Sequence, residues 1–171
     1  MDEVVKSYLA GCLDCDGYFT IKRSTYSMRV RNDATQPVFS EKIGLKQVSP
    51  EIVNMLTQYF GGYKRIEKPT AKKGKPLYAW SVSDRKAITL IKTLGDYLII
   101  KHKQAMVLLE LRRLKELPRI QHGTFIMLNR WGKPTKMPRR IVDPDIIQAK
   151  ERLFNQVKSL NDTRITKPVL L

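Results

Sequence analysis

An order of elements that occurs twice constrains the fold most. Val4 to Leu13 is an apolar-rich segment that reads as a helix closing at Gly17, and two extended stretches follow it, YFTIKRSTYSMRVR and PVFSEKIGLKQ. SPEIVNMLTQYFGG then reads as a second helix, with Ser49 as N-cap, Pro50 at the first helical position and Gly61 and Gly62 behind it. A hairpin from Tyr63 to Val82 comes next, its tip the lysine-rich PTAKKGKP and its return strand LYAWSVS. In the first strand Phe19 and Ile21 alternate with Thr20, Lys22 and Ser24, which places apolar groups on one face and polar, basic groups on the other. Helix then hairpin, twice, is an α+β arrangement in which four antiparallel strands bury one face. A polar face of Lys, Arg, Ser and Tyr suits a DNA groove, although an ordinary sheet with one wetted face has the same pattern.

The remaining segments complete one domain spanning 1–171, with its core at about 5–117. Asp84 to Leu94 and Ile99 to Leu117 read as helices, the second with Ala105, Leu108, Leu109, Leu111 and Leu114 at mixed spacings of three and four. Residues 118–142, rich in Pro, Gly and basic side chains, read as a long basic loop. In 143–171, Pro144 to Leu160 reads as a helix capped by Asp143, and NDTRITKPVLL as an extended tail.

Charge narrows the partner. The 32 Lys and Arg against 16 Asp and Glu leave a formal +16, which makes a polyanion the default ligand because each neutralised phosphate releases counterions. Residues 1–60 carry seven basic and seven acidic side chains, 61–120 fifteen and five, and 121–171 ten and four, so the excess lies after the first third. Two clusters stand out: Lys64, Arg65, Lys68, Lys72, Lys73 and Lys75 with only Glu67 against them, and Arg130, Lys133, Lys136, Arg139 and Arg140 with no acid. Neither follows the amphipathic helical pattern of a membrane-surface segment, so nucleic acid is favoured over an anionic membrane and over a merely solvated face. The sequence opens with no basic-then-apolar leader and has no apolar run approaching roughly eighteen residues, so neither a secreted nor a membrane-spanning protein is expected, and an intracellular one is.

The stretch YLAGCLDCDGYF holds both cysteines, Cys12 and Cys15, with Asp14 and Asp16 among them. A redox pair sits at a helix N-terminus, where the dipole lowers the thiol pKa; this pair lies late in a helical segment beside two acids. Zinc on sulfur would need His102 and His122, which are twenty residues apart rather than at finger spacing. A calcium loop that uses Asp16 and Gly17 puts Arg23 where a bidentate Glu is required. The acidic reading survives: a carboxylate at a helix end, next to basic-faced hairpins, suits a hard divalent cation held against a phosphate.

Leu9-Ala10-Gly11-Cys12-Leu13-Asp14-Cys15-Asp16-Gly17, with Tyr8 ahead of it and an extended strand behind, resembles the signature of the LAGLIDADG homing endonucleases. One copy resembles the single-motif, homodimeric branch, and GLKQVS and LIIKHKQA resemble that branch around Gln47 and Lys101. The resemblance implies a curved antiparallel sheet forming a saddle on duplex DNA, an α-β-β-α-β-β-α order, and magnesium-dependent cleavage of both strands of a long pseudo-palindromic target. Manganese is expected to substitute, and calcium to bind without supporting cleavage.

Carried over residue by residue, the resemblance makes Asp16 the metal ligand, joined by the Cys15 carbonyl, and makes Gln47 and Lys101 the groups that orient waters and stabilise charge at the scissile phosphates. Asp14 is implied to be structural, fixing the helix end, and Tyr8, Gly11, Cys12 and Cys15 to pack across a dimer axis. The DNA-reading residues expected are Lys22, Ser24, Tyr26, Arg29 and Arg31 on the first strand stretch, Ser40 and Lys42 on the next, Arg65 and Lys68 on the second hairpin, and Lys72, Lys73, Lys75, Arg139, Arg140, Arg164 and Lys167 as further basic contacts. No membrane or small-molecule substrate is expected. Three departures accompany the resemblance: Cys15 stands where Ala or Gly is usual, Glu51 where a basic residue is common, and the basic stretch from Arg130 to Arg140 has no counterpart. A non-cutting binder of the same fold, such as a splicing maturase, remains the alternative. A basic ribosome-associated protein would explain the charge but not the motif. Trp80 is expected in the core and Trp131 packed within the loop.

Overall fold

The computed structural model describes residues 1–25, 37–69, 74–118, 120–128, 131–141 and 143–162. The order is α1 (Glu3–Asp16), β1 (Gly17–Thr25), β2 (Pro37–Gln47), α2 (Pro50–Phe60), β3 (Tyr63–Glu67), β4 (Leu77–Ser83), α3 (Arg85–Leu94), a 3-10 turn (Gly95–Tyr97), α4 (His102–Glu116), β5 (Ile120–Leu128), β6 (Pro134–Ile141) and α5 (Pro144–Asn161). β1 to β4 form one antiparallel sheet in the order β1-β2-β4-β3, and β5 pairs with β6 in a separate two-stranded sheet. Among the described residues no helix is long and apolar enough to cross a membrane.

Local chemistry sets the main boundaries. Asp2 caps α1 by accepting the Val5 N–H at 2.8 Å. At the other end the chain passes directly from helix to strand, and the Gly17 N–H bonds the Leu13 carbonyl. A Cβ on Gly17 would lie 2.3 Å from that carbonyl oxygen, so only glycine fits. Ser49 does occupy the N-cap of α2, but its hydroxyl bonds the Glu51 carboxylate rather than a backbone N–H. Asp143 caps α5 as expected, accepting from the Asp145 N–H at 2.9 Å.

The strand alternation holds in the register. Phe19 pairs with Ile43 and Ile21 with Glu41 on the inner face, while Thr20 pairs with Lys42 and Lys22 with Ser40 on the outer one. The helices pack on the inner face, and the core between them and the sheet joins Leu9, Leu13, Phe19, Ile43, Leu45, Leu56, Trp80, Leu90, Ile91, Leu94, Leu108 and Leu111. Trp80 is buried as expected, its indole N–H satisfied by the Gly61 carbonyl at 2.8 Å. α5 lies along β1, tied by Arg23 to Glu151 at 3.0 Å and by the Asn161 amide to the Phe19 carbonyl at 2.8 Å.

Three expectations are corrected. The segment 118–142 is not a loop but carries the β5–β6 hairpin, with Pro138 opposite Thr124 and Pro134 opposite Leu128. Proline is tolerated there because both strands of a two-stranded ribbon are edges, so a missing N–H breaks no inner ladder. Trp131 is 70% exposed beside the hairpin turn instead of packed within it. The helix expected from Ile99 begins at His102, because the N–H groups of Ile99, Ile100 and Lys101 are all taken by the Asp14 carboxylate.

Candidate active site

The site is built where the end of α1 meets the end of β2. Asp16 is the last residue of α1 and is exposed. Gln47 is the last residue of β2, and its amide donates to Asp16 Oδ2 at 2.5 Å. The two residues are brought together because Gly17 pairs with Leu45, two positions before Gln47. Among the described residues, Lys101 is not brought to this pair by any hydrogen bond or ion pair of its side chain; its backbone N–H donates to Asp14 Oδ1 at 2.8 Å, and it forms the N-cap of α4.

Asp14 and Asp16 are separated by one residue but face opposite ways, as a helix turn of about 200° over two residues requires. Asp14 is buried, and its two oxygens accept three backbone N–H groups at 2.7, 3.2 and 2.8 Å. It is structural, as expected, but what it fixes is the start of α4 rather than the end of its own helix. Asp16 faces solvent with one amide donor.

Electrostatics favour positive charge at the end of α1. The last carbonyls of a helix lack intrahelical donors and carry the negative end of its dipole. Here Leu13's carbonyl is taken by Gly17, while helix geometry leaves that of Cys15 open, and the last turn holds no basic residue. One exposed carboxylate, one side chain bearing an amide oxygen and one open carbonyl are an oxygen donor set that fits magnesium, which takes one or two carboxylates and keeps its remaining positions for water and phosphate. Among the described residues there is no group of three or more His, Cys, Asp or Glu side chains that could hold a metal. Both cysteines are free thiols. Burial pushes the Cys12 thiol up from its ordinary value, against the lowering effect of its hydrogen bond with Tyr8, so it is protonated at neutral pH and unsuited to thiolate chemistry.

The outer face of the sheet carries the basic residues. Lys22, Ser24 and Arg65 are exposed there, with Ser40 and Lys42 half-buried. Lys68 and Lys75 are exposed just beyond β3 and before β4. Three residues on the same face escape the sequence reading as contacts: Tyr18, Lys46 and Tyr63. Tyr18 lies against Gly44, where a Cβ would come within 2.4 Å of its hydroxyl, and Lys42 Nζ sits 5.9 Å from the ring centroid. Lys46 bonds Glu67 at 2.9 Å, and Arg65 bonds the same carboxylate through Nε at 3.0 Å and Nη2 at 2.5 Å. Strand parity is the available signal, since Lys46 shares a face with Lys42 and Tyr63 with Arg65. Tyr26, Arg29, Arg31, Lys72, Lys73, Arg164 and Lys167 lie outside the described residues, as do the side chains of Arg139 and Arg140.

No family model matches the sequence, and no curated protein does. Solved structures do match. The chain is similar to the homing endonuclease I-CvuI in a complex with the I-CreI target and magnesium, at 15% identity over 94% of this chain and 83% of that one, with a TM-score of 0.64. It is also similar to the archaeal intron-encoded homing endonuclease I-Vdi141I complexed with DNA, at 13% identity over 95% and 87%, with the same TM-score of 0.64. This chain has the LAGLIDADG homing endonuclease fold. A second I-CvuI complex, with its own target and calcium, matches at 18% identity over 93% and 83%, with a TM-score of 0.62. Within the LAGLIDADG fold, the motif LAGCLDCDG occupies the second half of α1 and runs one residue into β1.

Proposed function

We propose that this chain is a site-specific DNA endonuclease that cuts both strands of a long, pseudo-palindromic duplex and acts as a homodimer. The observation that carries the reading is Asp16: an exposed carboxylate at the negative end of α1, held by Gln47, in a fold shared with DNA-bound homing endonucleases. Asp16 and the Cys15 carbonyl would hold a divalent cation, magnesium or manganese in the cutting state. Such a cation, when bound, polarises the phosphodiester, lowers the pKa of an attacking water and stabilises the leaving oxygen.

The chain's own residues have separate tasks. Gln47 fixes the rotamer of Asp16 and, with its amide oxygen, orients water beside it. Lys101, placed at the start of α4 by Asp14, supplies positive charge near the scissile phosphate. The outer sheet face, with Lys22, Ser24, Ser40, Lys42 and Arg65, tracks the duplex, and Tyr18, Lys46 and Tyr63 add to it. The dimer reading rests on α1: Val4, Tyr8, Gly11 and Cys15 recur every three or four residues as an exposed stripe, and among the described residues nothing lies within 4 Å of a Cβ built on Gly11. Pairing that stripe with a second copy supplies one Asp16 for each DNA strand.

Supercoiled plasmids carrying a library of candidate sites test this directly. Linearisation of a subset that shares one long pseudo-palindromic site, only with magnesium or manganese, is expected. A gel shift that needs no metal, with no cutting in any metal, would assign the chain to the non-cutting binders.

A further inference from the structure

The β5–β6 hairpin is absorbed neither by the core nor by the candidate active site. The four-stranded sheet and the helices pack on one another, whereas among the described residues β5 and β6 pair extensively only with each other. Its root can be placed from contacts at both ends. α4 starts where Asp14 holds Lys101 and ends where Arg112 and Lys115 reach Glu41, at 2.9 and 2.8 Å. α5 comes back from Glu151 on Arg23 to Asn161 on Phe19. Glu41 pairs with Ile21 at the middle of β1, and Arg23, which meets Glu151 of α5, lies two residues further from Gly17, so α5 begins, and the hairpin that joins α4 to α5 leaves the body, on the side of the sheet away from Asp16.

The chemistry of the hairpin points to a polyanion. Residues 118–142 contain six basic side chains, Arg119, Arg130, Lys133, Lys136, Arg139 and Arg140, and no acid. Lys133 and Lys136 are exposed, and Trp131 beside them is 70% exposed. An arm with no use in the core, uniform in charge and bearing an amphipathic ring at its turn, gains free energy mainly by neutralising phosphates. A ribbon of one nine-residue and one eight-residue strand reaches about 26–30 Å, and a two-stranded ribbon has the width that a DNA groove admits.

We infer that the β5–β6 hairpin is a second DNA-binding arm, which holds duplex flanking the half-site covered by the sheet and does so through phosphates, with little base preference. This rests on the endonuclease reading only for the presence of duplex on the sheet. The arm lengthens the bound footprint outward from the cutting site and adds affinity that depends steeply on salt.

The test uses the full chain in calcium and two random-sequence duplex pools, about 24 and about 50 base pairs long, the shorter limited to roughly two turns of duplex. Fluorescence anisotropy is read across a salt series for the unmodified protein and for the double variants Lys133→Glu with Lys136→Glu and Lys133→Arg with Lys136→Arg. The charge-reversed variant should bind the long pool at least tenfold more weakly and lower the log-log salt slope by about 2 for each protomer bound, about 4 for the homodimer, one unit for each phosphate no longer neutralised. On the short pool its binding should change less than threefold, and the arginine variant should match the unmodified protein on both. Equal affinities and slopes on the long pool would overturn the inference, as would an equal loss on both pools, or a loss seen only with single-stranded DNA or RNA. Failure of the endonuclease reading looks different: selection from the same pools by the unmodified protein would then yield no preferred site, whatever the hairpin variants do.

Discussion

Two acidic sites, one at the end of β2 and one near its middle, are treated in opposite ways. At one end Asp16 is exposed, lies at the negative pole of a helix, and meets the Gln47 amide. Midway along the strand, Glu41 is fully buried, and its Oε2 is held by Arg112 at 2.9 Å and Lys115 at 2.8 Å, with Asp84 bonded to Lys115 at 2.7 Å. A buried carboxylate without cations would be prohibitive, and with two of them it becomes a clasp between β2 and the end of α4. An exposed carboxylate placed where the field already favours cations contributes nothing comparable to the fold. The contrast separates an acid the fold depends on from an acid the fold leaves exposed.

The predictions that sharpen this contrast descend in size. Glu41→Ala strands Arg112 and Lys115 beside a cavity and should cost about 3–5 kcal/mol of stability by chemical denaturation, the range for breaking a buried pair; a loss under about 1 kcal/mol would dissolve the contrast. Asp14→Ala releases three N–H groups at the start of α4 and should cost about 1–3 kcal/mol, with cutting reduced as well because Lys101 is no longer placed. Gln47→Ala and Lys101→Ala should leave the melting temperature unchanged and slow cutting by roughly 10- to 100-fold, about 1.4–2.7 kcal/mol in the barrier; for Lys101→Ala, equal losses in binding and cutting would reduce that residue to a phosphate clamp. Cys12→Ala with Cys15→Ser should cost about 1 kcal/mol or less and spare cutting, since a protonated, partly buried thiol acts as a small packing group.

How far these features can be read from the sequence follows from the range of the interactions that make them. Helix ends set by neighbours, such as the Asp143 cap and Gly17, are legible because their partners lie within four residues. The wetted sheet face is legible through alternation, and so is the nine-residue motif ending at Gly17. The role of Asp14 escapes a reading of the sequence because its partners are 85 to 87 residues away and belong to a segment that reads as ordinary helix. Glu41 stands between Phe39 and Ile43 with the inner-face parity, and an isolated acid at that parity is the signal for a buried clasp. The β5–β6 hairpin is hidden by its prolines, which in sequence read as loop and in a two-stranded ribbon do no harm.

The most direct measurement is the cutting rate of Asp16→Asn on the selected plasmid target with magnesium, taken alongside its melting temperature and its DNA affinity. An acid left open for a cation predicts no detectable cutting, DNA binding within a few-fold of the unmodified protein, and a melting temperature that does not fall. Cutting at the normal rate, or loss of cutting only because the chain unfolds, would contradict that assignment.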